Sequence, residues 1–174
     1  MKRIIIMKSF LRINFFLLLT LFAHCSFEIR SEVKIHASQK EVWKTIINMD
    51  KYHEWNTQMY YLEGRIAKGE VIKLKLDTKG ADPYEFQPII NHWEEEKIFG
   101  WIARTGIPYI FDGEHIFELS EENGSTNLIN RETYSGILSP IIKQLPMMKE
   151  AHSGFEKMNQ ELKTYVESTK KAKK

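Results

Sequence analysis

His115 and Glu132 are the two side chains of this 174-residue chain whose types and spacing best suit proton transfer. An imidazole and a carboxylic acid in one dry site can act as acid and base in an enolisation, aldol cyclisation or dehydration, once their surroundings shift their pKa values toward neutrality. Both fall on a hairpin predicted over residues 111–136, where alternate side chains share a face. On the first strand Phe111, Gly113, His115, Phe117 and Leu119 point one way, and Asp112, Glu114, Glu118 and Ile116 the other. On the second, Leu128 and Tyr134 mark the inner side and carry Thr126, Asn130 and Glu132 with them. A turn over 121–125 sets Leu119 against Thr126 and His115 against Asn130, with Glu132 on the diagonal. Asn130 or Tyr134 would then hold an oxyanion. The same pattern also describes a core histidine bonded to a neighbouring strand, because buried polar groups usually have such partners.

Other chemistries find no support in the spacing. His36, His53, His92, His115 and His152 show no tight metal-ligand arrangement with acids or cysteine, so no metal is expected. No phosphate loop, dinucleotide fingerprint or Gly-x-Ser-x-Gly elbow is present, and no cofactor is expected.

The elements that must position the hairpin follow from periodicity and caps. Residues 27–35 form a first strand, and Ser38 with Glu41 makes a capping box before a helix with Val42, Trp43, Ile46 and Ile47 on its buried face. Asp50 is placed to cap the short turn that ends in Tyr52, His53 and Trp55. Strands over 58–64 and 71–77 pair through a turn near Lys68 and Gly69. Tyr84, Phe86, Pro88 and Ile90 alternate in the next strand, where Pro88 implies an edge or bulge; residues 91–97 turn the chain, and 98–104 form a further strand. A last amphipathic helix over 139–168 carries Ile141, Leu145, Met148, Phe155, Met158, Leu162, Tyr165 and Val166 on one stripe, with a kink expected at Pro146 and a weak point at Gly154. This order predicts an α+β domain whose curved antiparallel sheet grips the long C-terminal helix and leaves space for a small ligand.

The N-terminus has the form of an export signal: basic residues, an apolar run over 13–22, then Ala23, His24 and Cys25. Met7 offers an alternative start to Met1. The run is shorter than the roughly 20 apolar residues that span a bilayer. Cys25, the single cysteine, stands where a bacterial lipoprotein acceptor stands; lipidation and ordinary cleavage near residues 23–26 are both open. The expected organisation is a signal over 1–25, a domain over 26–170 and a basic tail over 171–174. The net charge of +2 arises largely from the signal: Lys2, Arg3, Lys8 and Arg12 precede the first acid, and without them 21 basic face 23 acidic side chains. That balance excludes a nucleic-acid surface.

Ile35, His36, Ala37 and Ser38 leading to Val42 and Trp43; Asp50, Tyr52 and Trp55; Phe86, Gln87 and Pro88 with Trp101; Gly113 to Leu119; and Glu132 to Gly136 together resemble the SRPBCC superfamily. This START/Bet v 1-like group is often labelled polyketide cyclase/dehydrase, and the resemblance spans roughly residues 33–167. It implies a helix-grip fold with a deep hydrophobic cavity, and no single catalytic set, since members range from lipid carriers to aromatase/cyclases. Three readings follow. The first is an exported binding or carrier protein of the bacterial cell envelope, periplasmic or lipid-anchored, whose small lipid-like or aromatic ligand lies against Phe86, Trp101, Phe117, Asn130, Tyr134, Met148 and Phe155. In it, Cys25 is the one route to membrane association. The second is a cyclase or dehydratase that uses His115 and Glu132, and the third an interaction module with a filled core.

Overall fold

Ser38 opens the helical part of the fold as expected: its hydroxyl accepts from the Glu41 amide while the Glu41 carboxylate accepts from the Ser38 amide at 3.1 Å. The resulting helix α1 (Gln39–Ile47) buries Val42, Trp43 and Ile46. A 3-10 turn over Met49–Glu54 follows, and Asp50 lies inside it rather than capping it; Asn48 occupies the cap position. Tyr52 is what fixes this turn. Its ring is fully buried, and its hydroxyl donates to the Ile46 carbonyl at 2.8 Å.

The computed structural model describes residues 26–77 and 82–172. Its strands are β1 (Ser26–Ile35), β2 (Met59–Gly64), β3 (Ile72–Leu76), β4 (Tyr84–Phe86), β5 (Ile89–Glu94), β6 (Ile98–Arg104), β7 (Asp112–Glu122) and β8 (Ser125–Ser135). All pairings are antiparallel, in the order β1-β8-β7-β6-β5 and β2-β3-β4. The two sets meet where the Ile72 amide donates to the Pro88 carbonyl and the Ile90 amide to the Glu70 carbonyl. Two expectations are corrected here. The strand expected through residues 84–90 breaks at Gln87 and Pro88, because proline cannot donate to the ladder, and the segment 91–97 is strand to Glu94 before it turns.

The hairpin is tighter than expected. Glu122 pairs with Ser125, so the turn is Asn123-Gly124 alone, with φ of 53° and 70°. Two positive φ angles define the hairpin turn that matches strand twist, and Asn-Gly is the pair that adopts it most cheaply. The register therefore moves by two: Leu119 faces Leu128, Phe117 faces Asn130, and His115 faces Glu132. An even shift keeps every side chain on its predicted face. A Cβ on Gly124 would meet nothing within 4 Å, so Gly124→Ala should cost only its backbone strain, about 1 kcal/mol, readable as a lower urea midpoint with unchanged slope.

The single C-terminal helix is corrected as well. Pro146 ends a short α2 (Ser139–Ile142) and its following turns, and the long helix α3 (Met147–Ala172) starts after it. Proline lacks the amide that a continuous helix would require and clashes with the preceding turn, so it interrupts rather than kinks. α3 lies between two supports. On one side Asn159 bonds Ser31, Lys163 bonds the Lys34 carbonyl, and Glu167 accepts from the His36 amide. On the other, Glu161 accepts from Thr57 at 2.6 Å, Tyr165 bonds Glu54, and Gly154 lets Gln58 approach to where a Cβ would lie 3.4 Å away. Between sheet and helices sits one core, in which Ile35, Trp43, Ile46, Leu74, Phe99, Phe117, Leu128 and Leu162 are buried together.

Candidate functional site

The inward face of the β7–β8 hairpin carries two separate polar centres in an aromatic setting. Deep in the core, His115 is 3% exposed and its ring lies 4.5 Å from Trp101, 4.8 Å from Phe117 and 4.9 Å from Phe155. Its Nε2 meets Asn130 Oδ1 at 2.7 Å. Asn130 Nδ2 then donates to Asn159 Oδ1 at 3.1 Å, and Asn159 Nδ2 to Ser31 Oγ at 3.0 Å. Because an amide oxygen can only accept, the chain fixes His115 with its proton on Nε2. Burial holds the imidazole neutral, pushing its pKa down to about 4, with the Asn130 bond opposing only in part.

The second centre is Glu132. Its cross-strand partner is His115, but its Oε2 accepts from the Tyr134 hydroxyl at 2.7 Å. The residue keeps partial exposure while its carboxyl lies deep, in space that Gly113 leaves open: a Cβ there would stand 2.6 Å from Glu132 Oε1. Burial pushes this carboxyl up to about 7, and the Tyr134 bond pulls back only weakly. Tyr134 stacks between Phe27, at 5.0 Å between ring centres, and Phe111, at 5.5 Å. Burial and the Glu132 charge together raise the phenol of Tyr134, and they act on Tyr84 of β4 in the same direction. A protonated carboxyl in this position can donate a hydrogen bond at neutral pH, and an ionised one can accept a proton.

Of the residues expected to line a ligand, Trp101, Phe117 and Asn130 are fully packed in the core and Phe155 closes over His115. Phe86 is half-buried with its ring 5.7 Å from Tyr84, Tyr134 belongs to the Glu132 centre, and Met148 is half-buried at the start of α3. Cys25 lies outside the described residues. Asn159, Ser31, Gly113 and Tyr84 were not singled out from sequence. Asn159 had a readable signal, since it is a polar residue four after Phe155 on the apolar stripe of the helix; Ser31 had none.

Two open hollows of about 360 and 300 Å³ lie at the other end of the molecule, lined by Lys44, Lys51, Tyr165 and Lys170 and by His36, Glu167 and Lys171. Neither touches His115 or Glu132, so they are surface clefts apart from this chemistry. Among the described residues no group of three His, Cys, Asp or Glu side chains is arranged to hold a metal.

No protein-family model matches the chain, and no curated protein matches it. Solved structures do. A START superfamily protein from Mycobacterium smegmatis is 16% identical with a TM-score of 0.62, covering 82% of this chain and 98% of that one. Ara h 8.0201 is 15% identical with a TM-score of 0.59, over 83% and 99%. The Zhui aromatase/cyclase from Streptomyces sp. R1128 is 12% identical with a TM-score of 0.62, over 82% and 94%. At these identities the likeness establishes the fold, a START/Bet v 1-like helix grip.

Proposed function

We propose that this START/Bet v 1-like domain binds a small hydrophobic molecule that has one polar end, and that it does so as an exported carrier of the cell envelope. The observation that carries the binding reading is the Glu132 centre. A carboxyl raised to about 7, seated over Gly113 and bonded by Tyr134, whose ring stacks with Phe27 and Phe111, combines an apolar contact surface with one group that can donate or accept. Small-molecule sites are generally built this way, with apolar walls supplying burial and a few polar groups setting orientation. The His115 chain has a different part in this reading. Its hydrogen bonds tie β7, β8, β1 and α3 together beneath the site, and the neutral imidazole remains enclosed by aromatic rings. The export half of the proposal rests on the basic and apolar N-terminal sequence and on Cys25.

Glu132 also favours a second reading. A carboxyl that titrates near neutrality beside a phenol could move a proton in a cyclisation or dehydration of a bound ketone. Here Glu132 would be the acid/base and Tyr134 its orienting partner.

Native mass spectrometry and solvent extraction of the full chain, as isolated from cells, separate these readings. The carrier reading expects a stoichiometric hydrophobic compound with a carbonyl, hydroxyl or carboxyl end. Gly113→Ala, which pushes on the Glu132 carboxylate, should weaken retention about tenfold, roughly 1.4 kcal/mol, with folding retained. Unchanged retention would remove Glu132 from the site. A folded protein that carries nothing, yet converts ketone substrates in a Glu132-dependent manner, would replace the carrier by the enzyme.

A further inference from the structure

The end of the molecule where β1 begins is unusually apolar for a surface. Ile107 is 72% exposed, Tyr109 75%, Ile141 63% and Met147 56%, with Leu138 and Leu145 beside them. These side chains sit on two segments that are bonded to one another: the Ile137 amide donates to the Tyr109 carbonyl at 3.0 Å and the Leu138 amide to the Ile110 carbonyl at 3.1 Å. Gly136 makes this contact possible, since a Cβ there would lie 2.6 Å from the Ile110 oxygen. Tyr109 has φ of 69°, a left-handed conformation that is strained for a bulky aromatic residue. The loop is therefore held in a costly shape that turns an aromatic ring outward, where burial within the fold cannot repay the strain.

Charge and connectivity identify the partner. Residues 104–110 and 138–149 contain Arg104, Lys143 and Lys149 and no acid; buried Asp112 just behind them accepts from the Tyr109 amide and lies 3.9 Å from Arg104, and Glu150 follows Lys149, so the exposed rim is net basic. Lys143 reaches over the Phe27 ring, with its Nζ 5.9 Å from the ring centre. Apolar side chains with a tyrosine, surrounded by lysine and arginine, match the boundary between acyl chains and anionic headgroups. The chain also enters the fold at this end. Ser26 pairs with Ser135, and Ser135 with Asp112, so the apolar run at 13–22 and Cys25 connect to the domain beside Ile110 and Gly136. No described helix is long and apolar enough to cross a membrane.

We propose that Ile107, Tyr109, Ile141, Leu145 and Met147 form a docking face for an anionic lipid bilayer, with Arg104, Lys143 and Lys149 at the headgroups. The face stands independently of the bound ligand. Where it rests on the carrier reading, it adds the source: Phe111 and Tyr134 lie just behind the loop, so an apolar molecule would pass between bilayer and site without crossing water.

The test uses the full 174-residue chain in a Cys25→Ser background, reconstituted in phosphatidylcholine vesicles with one quarter phosphatidylglycerol. A bimane label is placed at Ile107→Cys, at Ile141→Cys or, as a control at the opposite end, at the exposed Ser120→Cys. Brominated lipid should quench the first two labels at least threefold more than the third. Ile107→Asp combined with Ile141→Asp should abolish quenching of a bimane at Tyr109→Cys while thermal unfolding stays unchanged, because these side chains are exposed in the fold. Equal quenching at all three positions overturns the proposal. So does protection of Ile107 and Ile141 labels without lipid quenching, which would give the face to a second copy or to the chain's own 13–22 run. Retention of a ligand by protein that fails this test would leave the carrier reading intact and remove only the docking face.

Discussion

Glu132→Gln should raise stability at pH 8 and give the protein a stability that climbs with pH between about 4 and 6.5. The wild type contains two buried titrating groups whose effects oppose. His115 is held near 4 against an ordinary 6.5, so in that window the unfolded chain binds more protons, and the stability present above 6.5 is lost as the pH falls. Glu132 is held near 7 against 4.5, so between these values the folded protein binds more protons. Its contribution is fully present below 4.5 and is lost as the pH rises through 7. Each shift corresponds to at most about 3 kcal/mol, less for Glu132 because that residue keeps some solvent contact. The windows overlap and the slopes cancel. Glutamine retains the Tyr134 partner and removes the titration, which exposes the His115 slope; His115→Gln should expose the opposite one. Urea midpoints of wild type and variant at half-unit steps from pH 4 to 8 measure the difference directly. If wild type and Glu132→Gln run in parallel, the carboxyl is solvated and the polar end of the proposed site is lost with it.

Asn130→Ala should be the most damaging single truncation of a polar residue at the site. Asn130 is fully buried and makes two bonds at once, accepting from His115 and donating to Asn159. Its removal strands the His115 Nε2 proton and the Asn159 oxygen in a place water reaches poorly, at about 1–3 kcal/mol for each unsatisfied group, and leaves a cavity besides. A loss of about 4 kcal/mol is expected, seen as a large drop in the urea midpoint. Double substitution of Asn130 and Asn159 by alanine should cost less than the sum of the single changes, because one variant already breaks the shared bond. Strict additivity would show that the two amides do not interact.

The sequence was most informative where a local rule applied. The capping box at Ser38, the strand at residues 98–104 and the inward set of the hairpin were all legible, because caps and side-chain alternation depend on neighbours in the chain. The errors at 84–97 and at Pro146 come from the same kind of rule read too gently: a proline at a strand junction and within a helical stripe interrupts both elements.

By itself, then, the sequence did not determine burial everywhere, since Ile141 and Leu145, expected on the apolar stripe of the last helix, are exposed and Ile116, on the outward side, is buried. It did determine the inward face of the hairpin, with His115, Asn130, Glu132 and Tyr134 on one side. A period of two survives any even slip in register, so this conclusion did not require the correct turn. Which of them touch was decided only by the tertiary structure. The Asn123-Gly124 turn sets Glu132 opposite His115, yet His115 bonds Asn130, Asn130 is completed by Asn159 on a helix 29 residues further on, and Asn159 in turn bonds Ser31 on the first strand. Hydrogen-bond partners depend on distances of a few tenths of an ångström between segments far apart in the chain. Sheet register and helix docking set those distances together, and no local pattern encodes them.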